Sequence, residues 1–285
     1  MRELCETKRY RVSTLCEAAG LNRSSYYKWL NREETEQEIE NKKLIHKIRI
    51  IEESRNYIYG VRRLTMILNK NSDKRHNHKK IYRLMKIAGV ECKIRRKRRG
   101  CTKASPGSQA AENILNRDFT ADAPDQKWLT DVTEFKYGAN NKAYLSAILD
   151  LGDKRVVSYA IGHFNNNWLV FDTFDRAVNE NPQAYPLFHS DRGFQYTSPA
   201  FRLKLENAGM IQSMSRVGNC IDNGPMEGFW GIIKSEMYHL NKFTTYDDLK
   251  AAIDEYINFY NAERLQSGLD GASPIEYREA LSKAA

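Results

Sequence analysis

Three strand-like runs follow one another without interruption in this chain, at residues 127–137, 143–150 and 155–163, and no other feature restricts its fold so tightly. Each is rich in strand-forming residues, and the breaks between them read as turns, Gly138-Ala139-Asn140-Asn141 and Gly152-Asp153. Runs so spaced should pair as an antiparallel meander. Downstream the pattern alternates. A helix is expected over 168–179, a short strand ending at Asp191, a helix over 198–208, a strand over 210–214, and long helices over 225–240 and 246–263. A meander followed by alternating helix and strand implies an α/β fold, a mixed sheet covered by helices, in a domain spanning 124–285.

Ahead of Pro124 the chain is helical and basic. Residues 1–100 carry 27 Lys and Arg against 12 Asp and Glu, a net of +15, while the remaining 185 carry 18 against 24, a net of −6. Such a split marks a nucleic-acid-binding region joined to something else. Residues 1–32 hold a helix–turn–helix pattern: a short helix around Leu15–Ala19, Gly20 as the left-handed turn, and a second helix over Ser25–Leu30 capped by Asn22 or Ser24. The aromatics Tyr26, Tyr27 and Trp29 read mostly as core, leaving Arg23 and Lys28 to face DNA. An acidic helical connector covers 33–42. A second helical DNA-binding domain covers 43–93, its third helix ending at Gly89. His76 and His78, upstream of Cys92 and Cys101, fit no usual zinc spacing and read as loop. A basic linker covers 94–123, in which Arg95, Arg96, Lys97, Arg98 and Arg99 read as phosphate contacts.

No stretch approaches the roughly 18 apolar residues of a membrane span, and the N-terminus lacks the apolar region of a signal peptide. Five scattered cysteines without a C-x-x-C pair suit reduced thiols, so the expected compartment is the cytoplasm, with no membrane partner.

Three carboxylates stand out as chemistry. Phosphoryl transfer assisted by two cations needs several hard oxygen ligands brought together from separate elements. Asp131 lies mid-strand, on one face with Leu129, Thr133 and Phe135, where a carboxylate is costly to bury without a partner. Asp191 follows the short strand Phe188-His189-Ser190, with Gly193 permitting a sharp turn, at the carboxyl end where sites of α/β sheets collect. Glu227 lies in the first turn of a helix opened by Pro225, and Lys234, seven residues on, is placed to hold DNA phosphate. Asp150, Asp153 and Asp222 are nearby acids from which other triads could be drawn. His189 and Arg192 read as supports of the Asp191 loop, and Trp128 and Trp230 as core.

The gap between Asp191 and Glu227 holds 35 residues. With the words Thr130-Asp131-Val132-Thr133-Glu134-Phe135, His189-Ser190-Asp191-Arg192-Gly193-Phe194-Gln195-Tyr196 and Asp222-Asn223-Gly224-Pro225-Met226-Glu227, it resembles the D,D-35-E catalytic core of the retroviral-integrase and transposase superfamily. The closing motif, Tyr260-Asn261-Ala262-Glu263-Arg264 followed by Ser273-Pro274-Ile275-Glu276-Tyr277-Arg278, is similar to that of OrfB transposases of the IS-three family of bacterial insertion sequences. The chain departs from the common pattern at Gln266, where many relatives carry His, and at Gly224, where Ala is commoner. The resemblance covers nearly the whole chain and implies a ribonuclease-H-like five-stranded core. It implies a metal-dependent DNA transposase with Asp131, Asp191 and Glu227 as catalytic residues and ligands of two Mg²⁺ ions, for which Mn²⁺ can substitute. The implied partners are terminal inverted repeats and target DNA, further copies of the chain in a synaptic oligomer, and an OrfA helix–turn–helix and leucine-zipper protein as partner or fusion. A nuclease that cuts without joining, and a DNA-binding regulator with an inactive core, are the alternatives.

Overall fold

The computed structural model describes residues 10–70, 72–94, 111–217 and 220–284. The expected linker contacts Arg95, Arg96, Lys97, Arg98 and Arg99 lie outside them. Among the described residues, no helix is long and apolar enough to cross a membrane.

The first two helices, α1 (Val12–Ala18) and α2 (Arg23–Leu30), flank Gly20 at φ 63°, with the Asn22 side chain accepting from the Ser24 amide at 2.9 Å. Cys16 and Tyr26 are buried, whereas Tyr27 and Trp29 are 42% and 59% exposed. The expectation that these aromatics are mostly core fails, with two of the three exposed, because helices this short bury only a narrow stripe between them.

The boundary expected at residues 42 and 43 is not a break in the backbone. Helix α3 (Glu36–Ser54) runs through it, started by a capping box in which Thr35 and Glu38 satisfy each other's backbone amides. Glu36 and Glu38 of the expected connector thus lie in its first turn, where negative charge favours the helix. Helices α4 (Val61–Lys70) and α5 (His78–Ala88) complete the unit, and Gly89 ends α5 at φ 69°.

The sheet has five strands in the order β3-β2-β1-β4-β5, formed by β1 (Lys127–Tyr137), β2 (Asn141–Asp150), β3 (Val156–Gly162), β4 (Leu187–Ser190) and β5 (Ile211–Met214). The first three pair antiparallel as the turn spacing requires, while β4 joins β1, and β5 joins β4, in parallel. One face is covered by α6 (Asn167–Glu180) and α7 (Pro199–Asn207) through Val170, Phe174, Phe201 and Leu205 packed on Trp128 and Phe188. The other is covered by α8 (Gly224–Glu236) and α9 (Tyr246–Ala262), through Met226, Phe229, Ile233, Ile253 and Tyr260 packed with Leu129, Phe135 and Leu145.

The same apolar cluster continues into α3, α4 and α5 through Ile48, Leu64, Ile81 and Leu84. The helical region is therefore docked on α8 and α9. A buried polar knot accompanies it. Glu236 at the end of α8 accepts from Arg264 at 2.7 and 2.8 Å, from Tyr256 at 2.8 Å, and from Arg63 of α4 at 3.1 Å.

Helix α8 stops at Glu236 and gives way to a 3-10 turn over Tyr238–Leu240, short of the single helix expected to 240. A last helix, α10 (Pro274–Ala284), was not expected from periodicity. It is tethered by ion pairs of Arg278 with Asp125 and Asp153 and of Glu276 with Lys70.

Candidate active site

Strands β1 and β4 run in parallel with Lys127 beside Leu187, Trp128 beside Phe188 and Leu129 beside His189. Two residues beyond that last pair lie Asp131, on β1, and Asp191, directly after β4. The register thus brings two carboxylates, 60 positions apart in sequence, to one place in the sheet, where β4 ends beside the middle of β1. Period-2 alternation gives Asp131 the face of Leu129 and Phe135, the face that α8 covers.

Each carboxylate is oriented by N–H donors. Asp131 accepts from the Val132 amide at 2.8 Å and from the Trp230 indole at 3.0 Å. Asp191 accepts from the Gly193 amide at 2.9 Å. A β-carbon on Gly193 would stand 3.0 Å from Asp191 Oδ1 and 2.8 Å from Gln195 Oε1, so a bare glycine lets the carboxylate fold back onto the turn. Beneath the turn, His189 shares its ring nitrogens with Ser213 at 2.9 Å and Ser215 at 3.1 Å, and Arg192 donates to the Ser215 carbonyl at 2.7 Å. Burial holds His189 down at about 4, so its ring is neutral near pH 7.

Burial, the charge of Asp191 and, more weakly, that of Glu227 push the Asp131 carboxyl up to about 7, against the opposing pull of Trp230 and Val132. Burial also raises Asp191. Among the described residues, no Lys, Arg or His forms an ion pair with Asp131, Asp191 or Glu227, in contrast to Asp222, Glu236 and Asp153, each held by arginine.

Glu227 occupies the first turn of α8 and is exposed. It lies three residues before Trp230, one turn along the helix from the indole that reaches Asp131. Asn223, at the head of α8, donates its side-chain amide to the Thr130 carbonyl at 3.0 Å, fastening the helix start to the strand residue before Asp131. The carbonyl oxygen of that buried Asn223 side chain has no hydrogen-bond partner. Lys234 donates to Thr133 at 2.6 Å and stands over the Phe135 ring, and burial lowers its pKa against the pull of Asp131 and Glu134. Among the described residues, no three His, Cys, Asp or Glu side chains form a finished cation-binding group. The site pairs Asp131 with Asp191 and holds Glu227 at its mouth.

Asp150, which ends β2 beside Trp128, and Asp153, just past that end, do not join this site. They bind backbone amides, Trp128 and Arg278. Asp222 lies buried beneath Arg117 and Arg216. Sequence reasoning treated Trp230 as plain core and missed Asn223 as a tether. The indole N–H one helical turn after Glu227 was the available signal for the first, and the Asn at a helix start for the second. Arg23 and Lys28 are exposed on α2.

Residues 121–220 and 227–281 match the family described as "Integrase core domain", and residues 38–98 match "HTH-like domain". The chain is 39% identical over 271 residues to the putative transposase InsK of insertion sequence element IS150 from Escherichia coli K12, covering 94% of each chain. It is 35% identical to an uncharacterized 31 kDa protein of insertion element IS600 from Shigella sonnei, covering 93% of this chain and 97% of that one. It is 31% identical to the transposase of IS904 from Lactococcus lactis, covering 88% and 99%. Among solved structures, the HTLV-2 integrase catalytic core domain in complex with magnesium aligns with a TM-score of 0.43 at 21% identity, over 55% of this chain and 97% of that one.

Proposed function

The chain belongs to the insertion-sequence transposases and carries matches to an HTH-like domain and an integrase core, and on that premise we propose that it cuts DNA at insertion-sequence ends and joins the cut ends to target DNA, with Asp131, Asp191 and Glu227 as its catalytic carboxylates. The observation that carries this reading is the placement of Asp131, in the middle of β1, and Asp191, just past the end of the neighbouring parallel strand β4, with no ion pair to either among the described residues and Glu227 one helical turn from the Trp230–Asp131 bond.

That donor set suits a hard divalent cation. Two partly buried carboxylates, Asp191 raised by burial and Asp131 by burial and by the charge of Asp191, are the arrangement a cation relieves, and oxygen is the ligand Mg²⁺ selects. Asp131, Asp191 and Glu227 would hold two Mg²⁺ ions, or Mn²⁺, which when bound supply Lewis acidity at the scissile phosphate. The protein's own part is orientation. The Val132 amide and Trp230 indole fix the Asp131 carboxylate, and the Gly193 amide fixes that of Asp191, leaving further lone pairs on each. Asn223 and Trp230 fix the start of α8 against β1 and thereby the position from which Glu227 reaches inward. Lys234 keeps its ammonium beside Thr133 with donors to spare for a phosphate oxygen.

DNA is held by the basic N-terminal region, with Arg23 and Lys28 on α2 and the run from Arg95 to Arg99 among its contacts. The active form is an oligomer that holds two ends, with an OrfA protein as partner or fusion. The deciding experiment is cleavage and joining of a labelled duplex bearing the element's end, with Mg²⁺, by the wild type and Glu227→Gln. Activity in the wild type and a loss of at least about a hundredfold in the variant are expected; equal joining by both would refute the assignment of Glu227. A wild type that cuts without joining would make the chain a nuclease.

A further inference from the structure

Two short segments beside the Asp191 turn carry aromatic rings that face solvent. Phe164 is 73% exposed, Trp168 66% and Phe194 59%. Strand β3 is antiparallel to β2 and β2 to β1, while β4 is parallel to β1, so β3 and β4 run in one direction. The chain therefore leaves both strands at one edge of the sheet, into residues 163–166 after β3 and into the Asp191 turn after β4. There the two segments are tied together, the Gln195 side-chain amide donating to the Asn165 side-chain oxygen. Gln195 is buried, and the point a β-carbon on Gly193 would occupy is 2.8 Å from its Oε1 and 3.0 Å from Asp191 Oδ1. The tie thus lies against the carboxylate itself.

The rings point outward because their neighbours are held inward. Tyr196 is buried with its ring edge-on to Phe201 at 5.5 Å, and Leu169 is buried under α6. The Asn166 side chain caps α6 by accepting from the Leu169 amide at 3.0 Å, which fixes the helical turn that carries Trp168. Residues 163–168 and 192–197 contain no acid, and their one lysine or arginine, Arg192, donates its Nε–H to the Ser215 carbonyl. Rings and side-chain amides make up most of this surface. Exposed apolar groups gathered at one place mark a contact with something else.

From this we infer that Phe164, Trp168 and Phe194 form a platform that holds unpaired nucleotides beside the scissile phosphate, with their bases stacked on the rings. A surface so poor in cations has little to offer a phosphate, whereas rings match the flat face of a base and amides match its polar edge. Paired bases keep those faces inside the duplex, so the platform favours DNA that is opened where the reaction takes place. The inference rests on the proposed action on DNA and adds to it a non-ionic contact within the catalytic domain. Bases of the element's end and bases of target DNA share this chemistry, and the test separates the two sources.

The test uses the full chain with a duplex bearing the element's end, and with a target duplex supplied together with pre-cut ends. 5-Iodouracil placed beside the reacting phosphate of one duplex or the other should cross-link on irradiation to Phe164, Trp168 or Phe194 of the wild type, and the duplex that yields the adduct is the source of the base. Phe164→Ala/Trp168→Ala should weaken binding of that duplex about fivefold to a hundredfold, the range for a lost base stack. The slope of log K against log salt should stay unchanged, because no phosphate contact is removed. When an abasic nucleotide replaces the stacked one, wild type and variant should bind alike. Tyr185→Ala, which removes a ring 64% exposed ahead of β4, should alter none of these readings. No adduct with either duplex, or a loss of affinity that persists in full at every abasic position, would overturn the platform and leave the transposase reading standing. So would a dimer that the double variant abolishes while its DNA affinity stays that of the wild type, since the rings would then be covered by a second copy of the chain. A wild type that neither binds nor cuts either duplex would overturn both.

Discussion

Replacing Asp131 with Asn in the metal-free protein isolates the electrostatic load that the site carries before any cation arrives. Moving a carboxyl from its ordinary 3.8 to about 7 corresponds to about 4 kcal/mol, at 1.36 kcal/mol for each tenfold. Asp131 retains some solvent exposure and Glu227 can swing away, so roughly 2–4 kcal/mol is the reasonable range. The folded-state pKa lies above the unfolded one. The protonated group's advantage is therefore complete below about pH 4 and is lost as pH rises through about 7. The Asn variant, which carries no charge at this position, should match the wild type in thermal midpoint near pH 4 and exceed it by about 4–16 °C at pH 8, at about 2–4 °C per kcal/mol for a domain of this size. Differential scanning calorimetry in EDTA across that range reads the effect directly. Adding Mg²⁺ at pH 8 should raise the wild-type midpoint through preferential binding to the folded state and leave the variant little changed. Equal midpoints at pH 8 would refute the reasoning, since they would mean that the Val132 and Trp230 hydrogen bonds cancel the burial and repulsion. A difference independent of pH would refute it too, because it would trace to packing.

Other sites offer sharper single contrasts. Trp230→Phe removes a donor that favours the charged form of Asp131; the acid limb of the cleavage pH profile should move to higher pH, and a shift the other way would contradict the role given to the indole. Glu236→Ala leaves Arg264, and in part Arg63, buried without a counter-charge. The expected cost is about 3–5 kcal/mol in urea unfolding, and a loss below about 1 kcal/mol would show the knot to be incidental. Asp222→Asn withdraws the anion on which Arg117 and Arg216 converge. These arginines are half exposed and can turn to water, so stability should fall by only about 1–3 kcal/mol, while limited proteolysis should cut between residues 215 and 223 several times faster.

The sheet was legible because each of its strands answers a local rule. The long runs from Lys127 to Gly162 carry strand composition and are broken by turn residues, and the boundaries observed differ from those expected by a residue or two. The register that sets Asp131 beside Asp191 is a pairing between strands 60 positions apart, and nothing local announces it. The same limit explains Trp230. As a member of a helix whose other large residues are core it reads as core, and only its distance to Asp131, 99 positions away, gives it a second role. Composition alone divides helix α3, because its first turn is acidic and its later turns carry the apolar residues, a contrast that the capping box at Thr35 overrides. Helix α10 escaped because it is short, follows an irregular turn, and is held by ion pairs from Arg278 and Glu276 more than by an apolar stripe.

The interval from Asp191 to Glu227 can be derived from the topology. Strand β4 ends at Ser190, and the chain must return parallel to it as β5, which requires a crossover; α7 supplies it. The return is complete where Met214 lies beside Ser190 and the Ser215 amide reaches the Ser190 carbonyl at 2.9 Å. From there the chain has to pass back across β4 to β1, two strand spacings or about 10 Å, which a segment of a few residues spans with ease. Asp222 closes that passage by drawing Arg216 onto itself from one side and Arg117 from the other. Asn223 then lands on the Thr130 carbonyl, and α8 begins on the strand that carries Asp131. One further turn brings Glu227 to the mouth of the site. The spacing between the second and third carboxylates is thus the length of one crossover, one return strand and one passage over the sheet. An insertion in the passage from 215 to 223 would be absorbed as slack, whereas one within α8 between Asn223 and Glu227 would rotate the carboxylate off the face that meets Asp131.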